Sequence, residues 1–130
     1  MRTELLTNLS RRHLEVRCWQ NEIEFAGIEL PLFQQIMRGV AKEQLPAAGQ
    51  GDYDYLNGRL RHYERLIPQL KEEVNEYNHE VAMAWQQAAG REMEEDHRYL
   101  REEMDDFRWD LQSFKKNLWA FLSHHTAVRA

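Results

Sequence analysis

The chain is short of everything that interrupts or staples a fold. Its 130 residues hold three prolines, six glycines and one cysteine. The single Cys18 excludes an intrachain disulfide and leaves no cysteine-based zinc site. No apolar run is as long as a membrane-spanning helix needs, and the opening MRTELLTNLSRR lacks the apolar centre of a signal peptide. A soluble, cytoplasmic chain is therefore expected. Positive charge is also in deficit, with 17 Lys+Arg against 22 Asp+Glu and a net charge of −5. That balance argues against nucleic acid as a partner, because phosphate backbones need a positive surface. The basic run from Arg59 to Arg65 reads as a solvated helix face. There is no glycine-rich phosphate loop, no GxSxG turn and no Cys/His pair at a useful spacing. These absences predict a non-enzymatic protein without a cofactor.

Heptads are what the chain has in abundance. Charged residues make up 30% of it and the mean hydropathy is −0.79, which suits long helices with a narrow apolar seam. Leu9, Val16, Ile23, Leu30 and Met37 recur every seven residues, and Leu5, Arg12, Trp19, Ala26, Phe33 and Val40 form the companion line. A second run has Tyr53, Leu60, Ile67, Val74, Val81 and Ala88 at position a of the heptad, with Leu56, Tyr63, Leu70, Tyr77 and Ala84 at d. The third places His97, Met104, Leu111, Leu118 and His125 at a, and Met93, Leu100, Phe107, Phe114 and Phe121 at d. No useful stretch alternates with period two, so the fold class is all-α.

Two breaks divide these runs. The cluster from Gln44 to Gly51 is rich in Pro and Gly, with Asp52 as the expected N-cap of the next helix. A tight turn is expected at Gly90, where the heptad phase slips ahead of an acidic helix start; Trp85, Ala89, Met93 and His97, at spacings of four, leave one continuous helix with a stutter as the alternative. One domain spanning 1–130 follows, with helices at about 3–43, 52–89 and 91–124 forming an elongated antiparallel three-helix bundle with coiled-coil-like heptad packing. Pro31 and Pro68 each fall one residue after an a position, on the outer side, where a proline bends a helix without disturbing its seam.

Two ExxH pairs, Glu76/His79 and Glu94/His97, raise a di-metal bundle as a possibility. The heptad phase weighs against it. His97 is an a residue facing the seam, whereas His79 falls at f and faces solvent. Chance also supplies such pairs in a chain with 16 glutamates and six histidines. Glu80, Glu94 and His97 are left as the candidate metal ligands, and no metal is expected. Arg12 and His97 are the polar members of otherwise apolar seams, at similar heights from one end, with the small Ala84 near that level. A buried guanidinium needs a carboxylate. Arg12, Glu80, Glu94 and His97 are therefore predicted to form a buried polar layer that sets helix register, with a metal- or anion-binding site near Arg12 and His97 as the alternative function.

The first helix breaks the pattern of a simple bundle. Leu14, Cys18, Phe25, Ile28 and Leu32 sit at c and f and make a second apolar stripe opposite the first. The third helix carries Tyr99, Trp109 and Trp119 at outer positions. A helix apolar on two faces is normally buried on both, and outward aromatics are enriched at interfaces. These eight residues are the predicted interface of a protein-interaction or scaffold module, homodimeric through the first helix or bound to another protein. Binding to a membrane surface through Phe114–Trp119 is not expected, because the apolar face there is already the seam. The block Trp19-Gln20-Asn21-Glu22-Ile23-Glu24-Phe25, inside a long heptad helix followed by two more, resembles small uncharacterised all-helical proteins encoded in bacterial genomes. The resemblance implies a bacterial, cytosolic origin and no particular chemistry.

Overall fold

A computed structural model describes residues 2–87 and 93–126. Three α-helices account for nearly all of them: α1 at Arg2–Arg38, α2 at Ala47–Gln87 and α3 at Glu94–Thr126, with a short 3-10 turn at Lys42–Gln44. Among the described residues there is no strand. At ~1.5 Å per residue the helices are roughly 50–60 Å long. They pack as an antiparallel three-helix bundle. Gln20 on α1 hydrogen-bonds Asn75 on α2 while Gly27 faces Ile67, so these two run in opposite directions. Glu15 and Glu22 meet Arg101 and Arg108, so α1 and α3 run the same way.

The heptad lines are the core. Leu9, Val16, Ile23 and Met37 are buried together with Trp19 and Ala26, and Leu30, Phe33 and Val40 pack partly buried against them. On α2 the buried side chains include Leu56, Leu60, Tyr63, Leu70, Val74, Tyr77 and Val81, and on α3 Leu100, Met104, Phe107, Phe114, Leu118 and Phe121. Fully burying an aliphatic or aromatic side chain contributes about 1.5–3 kcal/mol, so this single seam supplies the main drive to fold. Aromatic layers fill its width. Tyr63 meets Phe114 and Phe107 edge-on at 5.4 and 6.3 Å, and Phe33 meets Phe114 at 5.7 Å.

Several helix limits differ from the periodicity. α1 stops at Arg38 rather than at 43, because Gly39 closes the last turn through its N–H to Gln35 and Ile36. Val40 keeps the seven-residue period and still packs on the core, although it lies outside the helix. α2 begins at Ala47, ahead of the expected 52, so Asp52 is an interior residue and not the N-cap. Pro46 takes that place; its carbonyl accepts the first helical bond from Gln50, and a proline has no N–H to lose at a helix start. Gly49 belongs to the helix for a packing reason. A Cβ there would come within 2.8 Å of the His125 ring of α3. The expected turn at Gly90 lies outside the described residues, and α2 and α3 are separate helices on either side of it. α1 and α2 continue through their prolines, Pro31 and Pro68, which are exposed.

Candidate functional site

His97 is the one polar or charged residue among the described ones that is fully buried, at 5% exposure. The a position on α3 carries it into the seam, between Trp19 and Tyr77 with ring centroids at 5.1 and 5.4 Å. Its two nitrogens have different partners. Nδ1 lies 2.7 Å from the Tyr77 hydroxyl, and Nε2 lies 2.5 Å from Glu15 Oε1. A carboxylate only accepts, so Nε2 carries the proton and Nδ1 accepts from Tyr77 O–H. Neutral imidazole is thereby satisfied on both sides. Burial holds the His97 pKa below its ordinary value, and the Glu15 carboxylate opposes that shift. Glu15 in turn is held below the usual carboxylate range, first by the Arg101 guanidinium and then by His97. Arg101 grips it with two bonds, Nε to Oε2 at 3.0 Å and Nη2 to Oε1 at 2.9 Å.

The other expected members of the polar layer are placed differently from one another. Arg12 is largely covered, its side chain 15% exposed, and its guanidinium stands 3.7 Å from Glu94. Glu94 is at the open edge, 71% exposed, so it caps the layer instead of lying within it. Glu80 is exposed, so it does not lie buried within the layer. It projects from the g position of α2, which flanks α3, and it stands near the Asp96 carboxylate there. Burial, followed by the charge of Asp96, raises its pKa. Among the described residues no group of three or more His, Cys, Asp or Glu is placed to hold a metal ion, and Glu80, Glu94 and His97 do not converge. Glu76 and His79 are both exposed.

Glu15 and Arg101 were not singled out by the sequence reading, and they belong to a larger pattern. Glu22 receives Arg108 through two bonds at 2.7 and 3.0 Å, and Glu29 receives Lys115 at 2.7 Å. All three pairs are 86 residues apart. They form a ladder of g-position acids on α1 against e-position bases on α3, the arrangement that flanks two parallel heptad helices. The signal was available as Glu15/Glu22/Glu29 and Arg101/Arg108/Lys115, each with a period of seven.

The predicted interface residues are all at the surface. Leu14, Phe25, Ile28 and Leu32 are 65%, 58%, 61% and 56% exposed, and Cys18 is exposed beside them. Ile36 extends the same side of α1. Tyr99, Trp109 and Trp119 are exposed too, but they are spaced by ten residues. Ten residues fall about a quarter turn short of three full turns, so these rings wind around α3 rather than share a face. The stripe on α1 is continuous and the α3 aromatics are not. Compared with protein-family models, curated proteins and solved structures, the chain matches none.

Proposed function

We propose that this protein is a non-enzymatic helical interaction module that pairs with a second copy of itself through the outer face of α1. The supporting observation is the exposed apolar stripe Leu14, Cys18, Phe25, Ile28 and Leu32. Its spacing of four and three residues is completed by Asn21, so it reads as a second heptad seam with one polar position. That is how a coiled-coil helix addresses another helix, and a single Asn in such a seam selects register. Five side chains at about 1.5–3 kcal/mol each offset much of the ~4–15 kcal/mol that association costs. The core seam lies on the opposite side of α1, so the bundle is complete without this face.

Analytical ultracentrifugation tests the reading. The expected result is a dimer for the natural chain at tens of micromolar and a folded monomer for Phe25→Glu/Ile28→Glu. A natural chain that stays monomeric, or a charged variant that remains dimeric, would refute it. Both positions are exposed, so the substitutions leave the core untouched. The metal version of the alternative function has no ligand set among the described residues to support it. The anion version has a specific observation in its favour, developed next.

A further inference from the structure

At the end of the bundle where α1 and α3 begin, one concavity is lined by more positive than negative charge, although the first turn of α3 around it is acidic. Arg11 and Arg12 from α1 and Arg98 and Arg101 from α3 surround a concavity of about 340 Å³, which Glu15 and Glu94 also line. Four guanidiniums against two carboxylates leave a local surplus of two positive charges, in a chain with a net charge of −5. The two carboxylates are not equally engaged. Glu15 is fully used by Arg101 and His97. Glu94 reaches Arg12 only at 3.7 Å and is mostly in solvent. Arg11 and Arg98 are exposed and, among the described residues, form no ion pair. A cationic lining repels metal ions, so the same geometry that disfavours a metal favours an anion.

We propose that this cleft binds a small phosphate-bearing anion, held by Arg11 and Arg98 at its rim and by Arg12 within it. Guanidinium forks match phosphate oxygens in pairs, and a doubly charged phosphate balances the surplus. Arg12 is the most sheltered of the three, so its contribution is the least screened by salt. The ladder supplies rigidity. Arg101 is fixed by Glu15, and Glu15 by the buried His97, so the cleft walls on α1 and α3 are held at a set distance before a ligand arrives.

The test uses the full chain at a constant ionic strength of about 0.15 M, so that general screening of the acidic surface does not vary. Pyrophosphate and ADP are titrated by calorimetry and by proton NMR of the histidine rings. Saturable binding that shifts the His97 ring signals and leaves those of His79 in place is the expected result. Arg11→Ser/Arg98→Ser should weaken binding about tenfold or more, as loss of charged hydrogen bonds does, with helix content and melting temperature unchanged. Tighter binding of ADP assigns the phosphate to a nucleoside, and tighter binding of pyrophosphate to an inorganic ion; both support the site. Three results overturn it: no saturable binding of either probe, equal affinity in the double variant, or an effect that sodium chloride reproduces.

Discussion

Helix α3 has two flanks, and they are charged in opposite ways. Against α1 it sets Arg101, Arg108 and Lys115 opposite Glu15, Glu22 and Glu29, every rung attractive. Against α2 it sets acid beside acid, with Glu103 within hydrogen-bonding reach of Glu73 and Asp96 within reach of Glu80. Only further along does that flank become attractive, where Asp110 accepts from Tyr63 at 2.6 Å and pairs with Arg59. Apolar period seven decides which face of α3 is buried but leaves its register to the flanking charges. The difference teaches that the α1 flank selects the alignment of α3, while the α2 flank tolerates a charge conflict that burial of Leu100, Met104 and Phe107 outweighs.

His97 is where the two flanks meet, since one nitrogen faces Glu15 of α1 and the other Tyr77 of α2. Breaking that joint carries the largest expected effect. Tyr77→Phe removes the donor to a buried Nδ1 and should cost about 1–3 kcal/mol in denaturant unfolding at pH 7. The joint also sets an acid limit. Because the folded His97 pKa lies below its ordinary 6.5, the unfolded chain binds more protons as pH falls through that value, and stability declines from there downward. Glu15 extends the decline below its own usual 4.5. His97→Gln should flatten the upper part of the fall; an unchanged pH profile would show that His97 does not titrate differently on folding.

Reversing two rungs comes next. Glu22→Arg/Glu29→Lys replaces attraction by repulsion and should destabilise by roughly 1–2 kcal/mol at low salt, since exposed pairs are worth ~0.2–1 kcal/mol each. Adding Arg108→Glu/Lys115→Glu should restore most of it, and that recovery measures the coupling across the seam. If the fourfold variant recovers nothing, the ladder is ornamental. The smallest effect concerns the acid flank. Burial raises the Glu103 pKa, Glu73 adds to the shift, and the Tyr99 hydroxyl, donating at 2.8 Å, opposes it. A raised folded pKa means stability is lost as pH rises through it, so Glu103→Gln should stabilise the protein by a few tenths of a kcal/mol at pH 7. The gain should vanish as pH approaches 4.5, and a gain independent of pH would point to packing instead.

The seams were legible in the sequence because apolar period seven leaves little freedom in which face is buried. Leu9, Val16, Trp19, Val74, Tyr77, Met104 and Phe107 all lie where that period puts them. The breaks were less legible. Val40 prolonged the period past the helix end at Arg38, and Gly49 looked like a loop residue until the His125 ring of α3 explained its missing side chain. The polar layer was half legible. His97 and Arg12 stood out as polar residues in apolar lines, but their carboxylates could not be assigned from one helix at a time. Which acid flanks which base depends on whether two helices run together or opposed. That is why Glu15 was missed.

The constant separation of 86 residues along the ladder also bears on how the molecule forms. α1 and α2 are neighbours in the chain and zip together from the turn at Gly39–Pro46, each new contact closing only a small additional loop. No rung between α1 and α3 has that advantage. Every one closes the same long loop, and its entropy is repaid only after α2 has laid down the whole return path. The ladder is therefore a late latch: it adds little to the speed of assembly and much of its value to the lifetime of the assembled state.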